Sequence, residues 1–171
     1  MITFPKSFPF SKLAPTEKEL NWMNDWLDAN VKQGCKVLEF GCGITSWVIN
    51  EAVKPSVYVA MEHYQQCIMD TMKNVPNIKM VQTTWHQIPQ DVYDFVFIDS
   101  SAGYPPGGDG LYRDKTIEFI ESQQMIHDRS FIMIHDWHAR SGKGSRKYLE
   151  SNGYKLAGSF SDRTGVGVYS K

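Results

Sequence analysis

Three short segments carry residue types that bind nucleotide-like ligands or move protons. The first is VLEFGCGITSW, residues 37–47: an apolar run, an acid at Glu39, then Gly41 and Gly43 one residue apart. Glycine has no Cβ, so a turn built there can take positive φ and let a ligand lie against the backbone. The second is VAMEH, in which Glu62 follows 21 residues after Gly41. An acid at that spacing suits a ribose diol. The third is a pair, YDFVFIDSS with Asp99 and IHDWH at residues 134–138. Asp99, His135 and Asp136 are candidates for a general base or for a divalent-metal site, and a metal would lower the pKa of an acceptor hydroxyl. His138, three residues beyond His135, could join them. Single acids and histidines at strand ends also cap loops, and a glycine turn also serves as a plain connection, so the functional reading rests on these features arriving together and in order.

The elements that would position these groups follow from periodicity and punctuation. Residues 1–15 read as an extended, aromatic arm. Thr16 and Glu19 have capping-box spacing, and Leu20, Met23 and Leu27 repeat on one helical face until Gly34. Residues 36–40 form a short buried strand, and 45–53 a helix stopped by Lys54-Pro55. Strands are expected over 56–61, 78–83, 93–98 and 130–134, with helices over 64–74 and 112–126. SSAGYPPGGDG, residues 100–110, is the most loop-like stretch and reads as a gate or a plain surface loop; RSGKG, 140–144, reads as a second loop. Ser145 is placed as the cap of a last helix that ends at Gly153, and the C-terminus reads as a hairpin with a Ser-Asp-Arg-Thr turn. Alternating strands and helices imply an α/β fold with a mostly parallel sheet covered on both faces. The chain divides into an N-terminal arm and helical extension, 1–34, and one binding domain, 35–171.

The glycine turn admits two ligand classes. A dinucleotide site wants a third glycine where this chain has Ser46, and a phosphate-binding loop of the G-x-x-x-x-G-K-[ST] type does not occur. Glu39 tips the choice, because an acid in the turn would repel a pyrophosphate and attract a cationic amino group. A nicotinamide-binding oxidoreductase stays as the alternative enzyme.

At this point the chain resembles the class I S-adenosylmethionine-dependent methyltransferases. VLEFGCG is similar to their E/D-x-G-x-G turn after strand one, Glu62 to their ribose acid, and YDFVFIDSS to their fourth-strand motif. The terminal hairpin is similar to their last two strands. The resemblance spans about residues 35–170. It implies a Rossmann-like seven-stranded sheet of order 3-2-1-4-5-7-6, the last strand antiparallel. It also implies that Glu39 holds the methionine amino group directly or through water. Phe40, Gly41, Cys42 and Gly43 would supply the turn, Glu62 would take the ribose, and His63 would flank the adenine. Asp99 would lie beside the methionine end and the acceptor. The family often has an acid after strand three; here the segment is TTWHQ, which leaves Thr84 or Trp85 for the adenine.

Methyl transfer is an in-line displacement that needs alignment and, for a hydroxyl, loss of a proton. The acids after strands four and five resemble those of catechol-type O-methyltransferases, although Asp136-Trp137 stands where that subfamily has Asp-Asn. EFGCG, MEH, DSSAG and IHDWH are loosely similar to segments of glucuronoxylan methyltransferases, which implies a small-molecule or sugar hydroxyl as acceptor. Tyr104 and Arg113 then become candidate substrate contacts, Arg113 by pairing with a carboxylate. A third reading is a catalytically inactive binding module whose arm, with Phe4, Phe8 and Phe10, docks on a partner or on a second copy as a homodimer.

The totals narrow the field. The 171 residues suit one α/β domain, and 42% hydrophobic residues can bury a core. A formal net charge of −1 gives no bulk attraction to nucleic acid or to an anionic membrane. Cys35, Cys42 and Cys67 form no CxxC pair, an odd count that suits reduced thiols in the cytoplasm.

Overall fold

The computed structural model describes residues 4–5, 15–82, 87–99 and 113–171. Thr84, Trp85, Tyr104, the PPGGDG loop, Phe8 and Phe10 lie outside the described residues.

Helix α1, Glu17–Asn30, opens on the expected capping box: the Thr16 hydroxyl accepts the Glu19 amide, and the Glu19 carboxylate accepts the Thr16 amide. Then follow β1, Lys36–Phe40; α2, Ile44–Val53; β2, Val57–Met61; α3, Gln65–Asn74; β3, Lys79–Val81; and β4, Tyr93–Ile98. The chain continues through α4, Arg113–Ser122; β5, Ile126–His135; α5, Arg140–Ser151; β6, Lys155–Phe160; and β7, Val166–Ser170. Two boundaries differ from the expectation: α4 ends at Ser122 and β5 already begins at Ile126, where the sequence carries the helix to 126 and starts the strand at 130, and the last helix begins at Arg140. RSGKG is the first turn and a half of α5, so Ser145 is a buried residue inside that helix and caps nothing. Gly142 is kept there by packing: a Cβ would fall 2.4 Å from the Asp136 carbonyl oxygen. Glycine in a helical first turn is read from sequence as a loop, and here a neighbour's backbone overrides that propensity.

The seven strands form one sheet in the order β3-β2-β1-β4-β5-β7-β6. All pairings are parallel except those of β7, which runs antiparallel to β5 and β6. The order reverses between β1 and β4. At such a switch point the connections leave in opposite directions and open a crevice beyond the carboxyl ends of the strands.

The register decides what faces that crevice. Phe40 pairs with both Met61 and Ile98, and Ile98 pairs with Ile134. The next residue on each strand is Gly41, Glu62, Asp99 and His135. Backbone bonds extend the ladder by that rung: Gly41 donates to the Met61 carbonyl at 2.9 Å and Asp99 to the Phe40 carbonyl at 2.8 Å. The four residues singled out from the sequence therefore stand level along one sheet edge.

Helix α1 packs into the same core as the sheet. Leu20, Met23 and Leu27 are fully buried with Val37, Val48 and Phe97. The Trp26 ring meets Phe131 edge-on at 5.1 Å, and Trp22 stacks on Phe160 at 5.9 Å. A fully buried leucine contributes about 1.5–3 kcal/mol by transfer alone. Leu27→Ala is expected to lower unfolding free energy by about 2–5 kcal/mol. Urea titration checks this, and a loss below about 0.5 kcal/mol would mean that α1 frays from the core in solution.

Candidate functional site

The glycine turn is organised from beneath. Gly41 takes φ 89°, a backbone state that a side chain disfavours. At Gly43 a Cβ would meet no atom within 4 Å, so that side of the turn is open to a ligand. Under the turn lies Glu39, wholly buried. Its Oε1 accepts the Thr45 hydroxyl at 2.9 Å, and its Oε2 accepts Ser46 at 2.6 Å and Tyr58 at 2.8 Å. The Ser46 hydroxyl in turn accepts the Gly43 amide at 3.1 Å. A chain of bonds thus runs from the turn backbone through Ser46 to Glu39.

This geometry corrects two expectations. Ser46 reads in sequence as a missing third glycine; in the fold its hydroxyl is what shapes the turn, and glycine could not replace it. Glu39 does not contact a ligand's amino group directly, because its carboxyl is buried under three hydroxyls. Burial raises its pKa to about 8 against the lowering effect of the Ser46, Tyr58 and Thr45 bonds. Burial therefore favours the protonated carboxyl, whose own O–H turns toward one of the three hydroxyls and which would not repel a pyrophosphate. Phe40 is fully buried below the turn. Cys42 turns inward, where Thr71 donates to its sulfur at 3.3 Å and burial pushes the thiol pKa up, so only its backbone faces the turn.

On the adjacent strand Glu62 is fixed by its own backbone. Its Oε1 accepts the amides of His63 at 2.7 Å and Tyr64 at 2.9 Å, at the start of α3. The His63 ring is partly exposed beside it and packs on Tyr64 at 4.1 Å. An open glycine backbone and a pinned carboxylate at the same sheet level fit a ligand with a close-packed polar chain and a vicinal diol.

The acids after β4 and β5 meet in a second cluster. Asp99 Oδ1 lies 2.9 Å from His135 Nδ1, and Asp136 Oδ1 lies 3.6 Å from the same nitrogen. Asp136 holds a left-handed φ of 55°, which turns its carboxylate back toward Asp99. Arg113, at the start of α4 and 4% exposed, donates to Asp99 at 3.1 Å, to Asp136 at 3.0 Å and to the His135 carbonyl. The sequence suggests Arg113 as a substrate contact; the fold spends its guanidinium on three internal acceptors. Asp99 and Asp136 keep 20% and 25% of their side-chain surface in solvent, whereas His135 keeps none. The two carboxylates are thus partly open to solvent and the imidazole is not. His138 does not join the cluster. Its Nε2 lies 2.6 Å from the Ser161 hydroxyl, and its ring packs on Trp137.

Sequence reasoning missed Glu19. This capping-box acid of α1 is fully buried, accepts the Gly165 amide at 2.8 Å, and sits 3.9 Å from His135 Nε2. Burial opposes ionisation of both groups. For Glu19 the nearness of His135 and the amides of Thr16 and Gly165 prevail, and its pKa falls to about 2. For His135 the carboxylates of Asp99, Glu19 and Asp136 prevail, and its pKa rises to about 10. The surrounding carboxylates thus favour the protonated imidazole. The signal that could have found Glu19 is its apolar neighbourhood on the helix face, but capping alone accounts for the residue type.

Ligand atoms of Asp99, His135 and Asp136 lie within 4.8 Å of one another, close enough for one metal ion. The arrangement nevertheless does not fit a metal. A guanidinium nitrogen already bridges the two carboxylates, and the imidazole nitrogen facing them is bonded to Asp99. Metal ligation needs a neutral imidazole.

The pKa of Glu39 sets a pH dependence. In the unfolded chain it ionises near its ordinary 4.5; in the fold it keeps its proton to about 8. The folded state therefore binds more protons in this window, and stability falls as pH rises through it. Glu39→Gln can keep hydrogen bonds to the three hydroxyls and has no proton to lose. Denaturant titrations should show the variant gaining on wild type steadily from about pH 5 to 8; a difference that stays flat would mean Glu39 is ionised in the fold.

No family model matches the sequence, and no curated protein matches it by sequence. Solved structures do match in fold. An S-adenosylhomocysteine-bound methyltransferase of Podospora anserina superposes with a TM-score of 0.71 at 13% identity, covering 95% of this chain and 82% of that one. A precorrin-6y C5,15-methyltransferase of Geobacter metallireducens gives 0.70 at 14% identity, covering 98% and 97%. An O-methyltransferase of Bacillus cereus in complex with S-adenosylhomocysteine gives 0.67 at 10% identity, covering 94% and 84%. With its seven-stranded order and reversed last strand, the chain has the Rossmann-like fold of the S-adenosylmethionine-dependent methyltransferases.

Proposed function

We propose that this protein is an S-adenosylmethionine-dependent methyltransferase that acts on a hydroxyl of a small-molecule or carbohydrate acceptor. The observation that carries the reading is the level placement of the open Gly41–Gly43 turn, the pinned Glu62 and the half-open Asp99 along one crevice at the switch point.

In this reading the backbone of Gly41, Cys42 and Gly43 lies along the cofactor's methionine end. Glu62 accepts the ribose hydroxyls, and His63 flanks the adenine. The bound cofactor supplies a methyl group on a sulfonium. Asp99 accepts the hydrogen bond of the acceptor hydroxyl, aligns it and receives its proton. Alignment of this kind can account for much of the rate, because it removes the entropy cost of bringing two reactants together. His135, held between Asp99 and Glu19, keeps the Asp99 carboxylate in one orientation. Among the described residues no helix is long and apolar enough to cross a membrane.

A nicotinamide cofactor loses its case for a different reason than the sequence suggests. The buried, protonated Glu39 would tolerate a pyrophosphate. Against the dinucleotide reading stand the antiparallel β7 and the likeness of the whole sheet to methyltransferases. The interaction-module reading rests on the aromatic arm, and the one arm ring that is described, Phe4, packs on Trp47 of the same chain at 5.9 Å.

Calorimetry with S-adenosylmethionine and S-adenosylhomocysteine tests the proposal. Both should bind, NAD should not displace them, and Glu62→Ala should weaken binding roughly 100-fold by removing two hydrogen bonds to a charged group. Absence of binding at millimolar cofactor would sink the reading. Unaltered affinity in Glu62→Ala would move the ribose elsewhere.

A further inference from the structure

We propose that Arg113 is a built-in cation that takes the place of a divalent metal between Asp99 and Asp136, so that the site works without a metal ion. The inference deepens the methyltransferase reading and rests on it only for its catalytic consequence.

Three observations carry it. First, the Arg113 guanidinium nitrogen is 3.1 Å from Asp99 Oδ1 and 3.0 Å from Asp136 Oδ2, the bridging position that a metal shared by the two carboxylates would take. Second, the guanidinium is not a mobile surface charge. Arg113 is 4% exposed, and it also donates to the His135 carbonyl, so three acceptors on β4 and β5 fix it. Third, the remaining donor of the cluster is engaged: His135 Nδ1 is 2.9 Å from Asp99. Arginine stays charged at any working pH and matches carboxylates with fixed geometry. It therefore holds the two acids together permanently, and a divalent ion entering between them would face a like charge at contact distance.

The consequence is chemical. The two carboxylates remain partly exposed toward the crevice as hydrogen-bond acceptors, and no Lewis acid is available to ionise a poorly acidic hydroxyl. The proton must pass to a carboxylate as the oxygen–carbon bond forms and the cofactor's carbon–sulfur bond breaks, its electron pair staying on sulfur as a neutral thioether. This favours acceptors whose hydroxyl is already acidified by its own ring or neighbouring group, such as a phenol, over a plain aliphatic alcohol, and so narrows the proposed acceptor from sugars toward aromatic small molecules.

Binding of Mn²⁺, followed by its electron paramagnetic resonance signal, tests the first claim independently of any methyl transfer. Wild type is expected to leave millimolar Mn²⁺ free. Arg113→Ala removes the like charge and should bind Mn²⁺ on the order of 100-fold or more tighter, an affinity lost again when Asp136→Asn is added. Arg113→Gln, which better preserves volume, gives the same comparison if the alanine variant does not fold. Stoichiometric Mn²⁺ binding by wild type that Asp136→Asn abolishes would overturn the proposal. So would a folded Arg113 variant as indifferent to Mn²⁺ as wild type. Failure of cofactor binding would instead strike the methyltransferase reading and leave this result standing.

Discussion

The Phe40 carbonyl accepts the Asp99 amide, and the Met61 carbonyl accepts the Gly41 amide, each one rung past the last paired residues of the parallel ladder. These bonds set where every group of the site can be. Parallel strands share one direction, so their carboxyl ends finish on one side, and level register makes them finish at one height. A slip of one residue on β4 would turn Asp99 to the opposite face of the sheet and away from the crevice. Both faces of β4 are apolar, so burial alone does not choose the register; the fit of Phe95, Val96, Phe97 and Ile98 into their close-packed neighbours does.

Beneath this edge the structure holds two buried acids in opposite protonation states. Glu39 is surrounded by hydroxyls, which satisfy its oxygens but carry no charge, so burial prevails and it stays protonated. Glu19 faces an imidazolium and two amides, so ionisation prevails. Hydrogen bonds stabilise a charge in a low-dielectric interior less than an opposite charge does, and the two sites display that difference within one small fold. Leaving either carboxyl without its partners would cost about 1–3 kcal/mol or more, which ties the shape of the glycine turn to Ser46 and Tyr58, and the placement of His135 to α1.

That second tie alters the standing of the N-terminal helix. Glu19 bonds Gly165 in the turn before β7 and closes the His135–Asp99–Arg113–Asp136 network from behind. Trp137, next to Asp136, packs over β7 and donates to the Tyr169 hydroxyl. Its ring lies where a Cβ at Gly167 would fall 2.6 Å away, and Arg146 covers it at 5.1 Å. The cluster is thus built from α1, β4, α4, β5 and the β6–β7 hairpin, elements far apart in the chain.

The order of strands and helices, the capping box, the glycine turn and the acids after β2, β4 and β5 were legible in the sequence alone. Each depends on residues near one another in the chain: hydrophobic period, punctuation by proline and glycine, and acids one step beyond an apolar run. What each acid does was not legible. Whether Glu39 faces a ligand or three hydroxyls depends on Tyr58, 19 residues away. Whether Arg113 meets a substrate or its own carboxylates depends on Asp99 and Asp136 arriving from neighbouring strands. The protonation of a buried group is set by which charges and dipoles lie within a few ångströms of it, and only the folded chain brings them there.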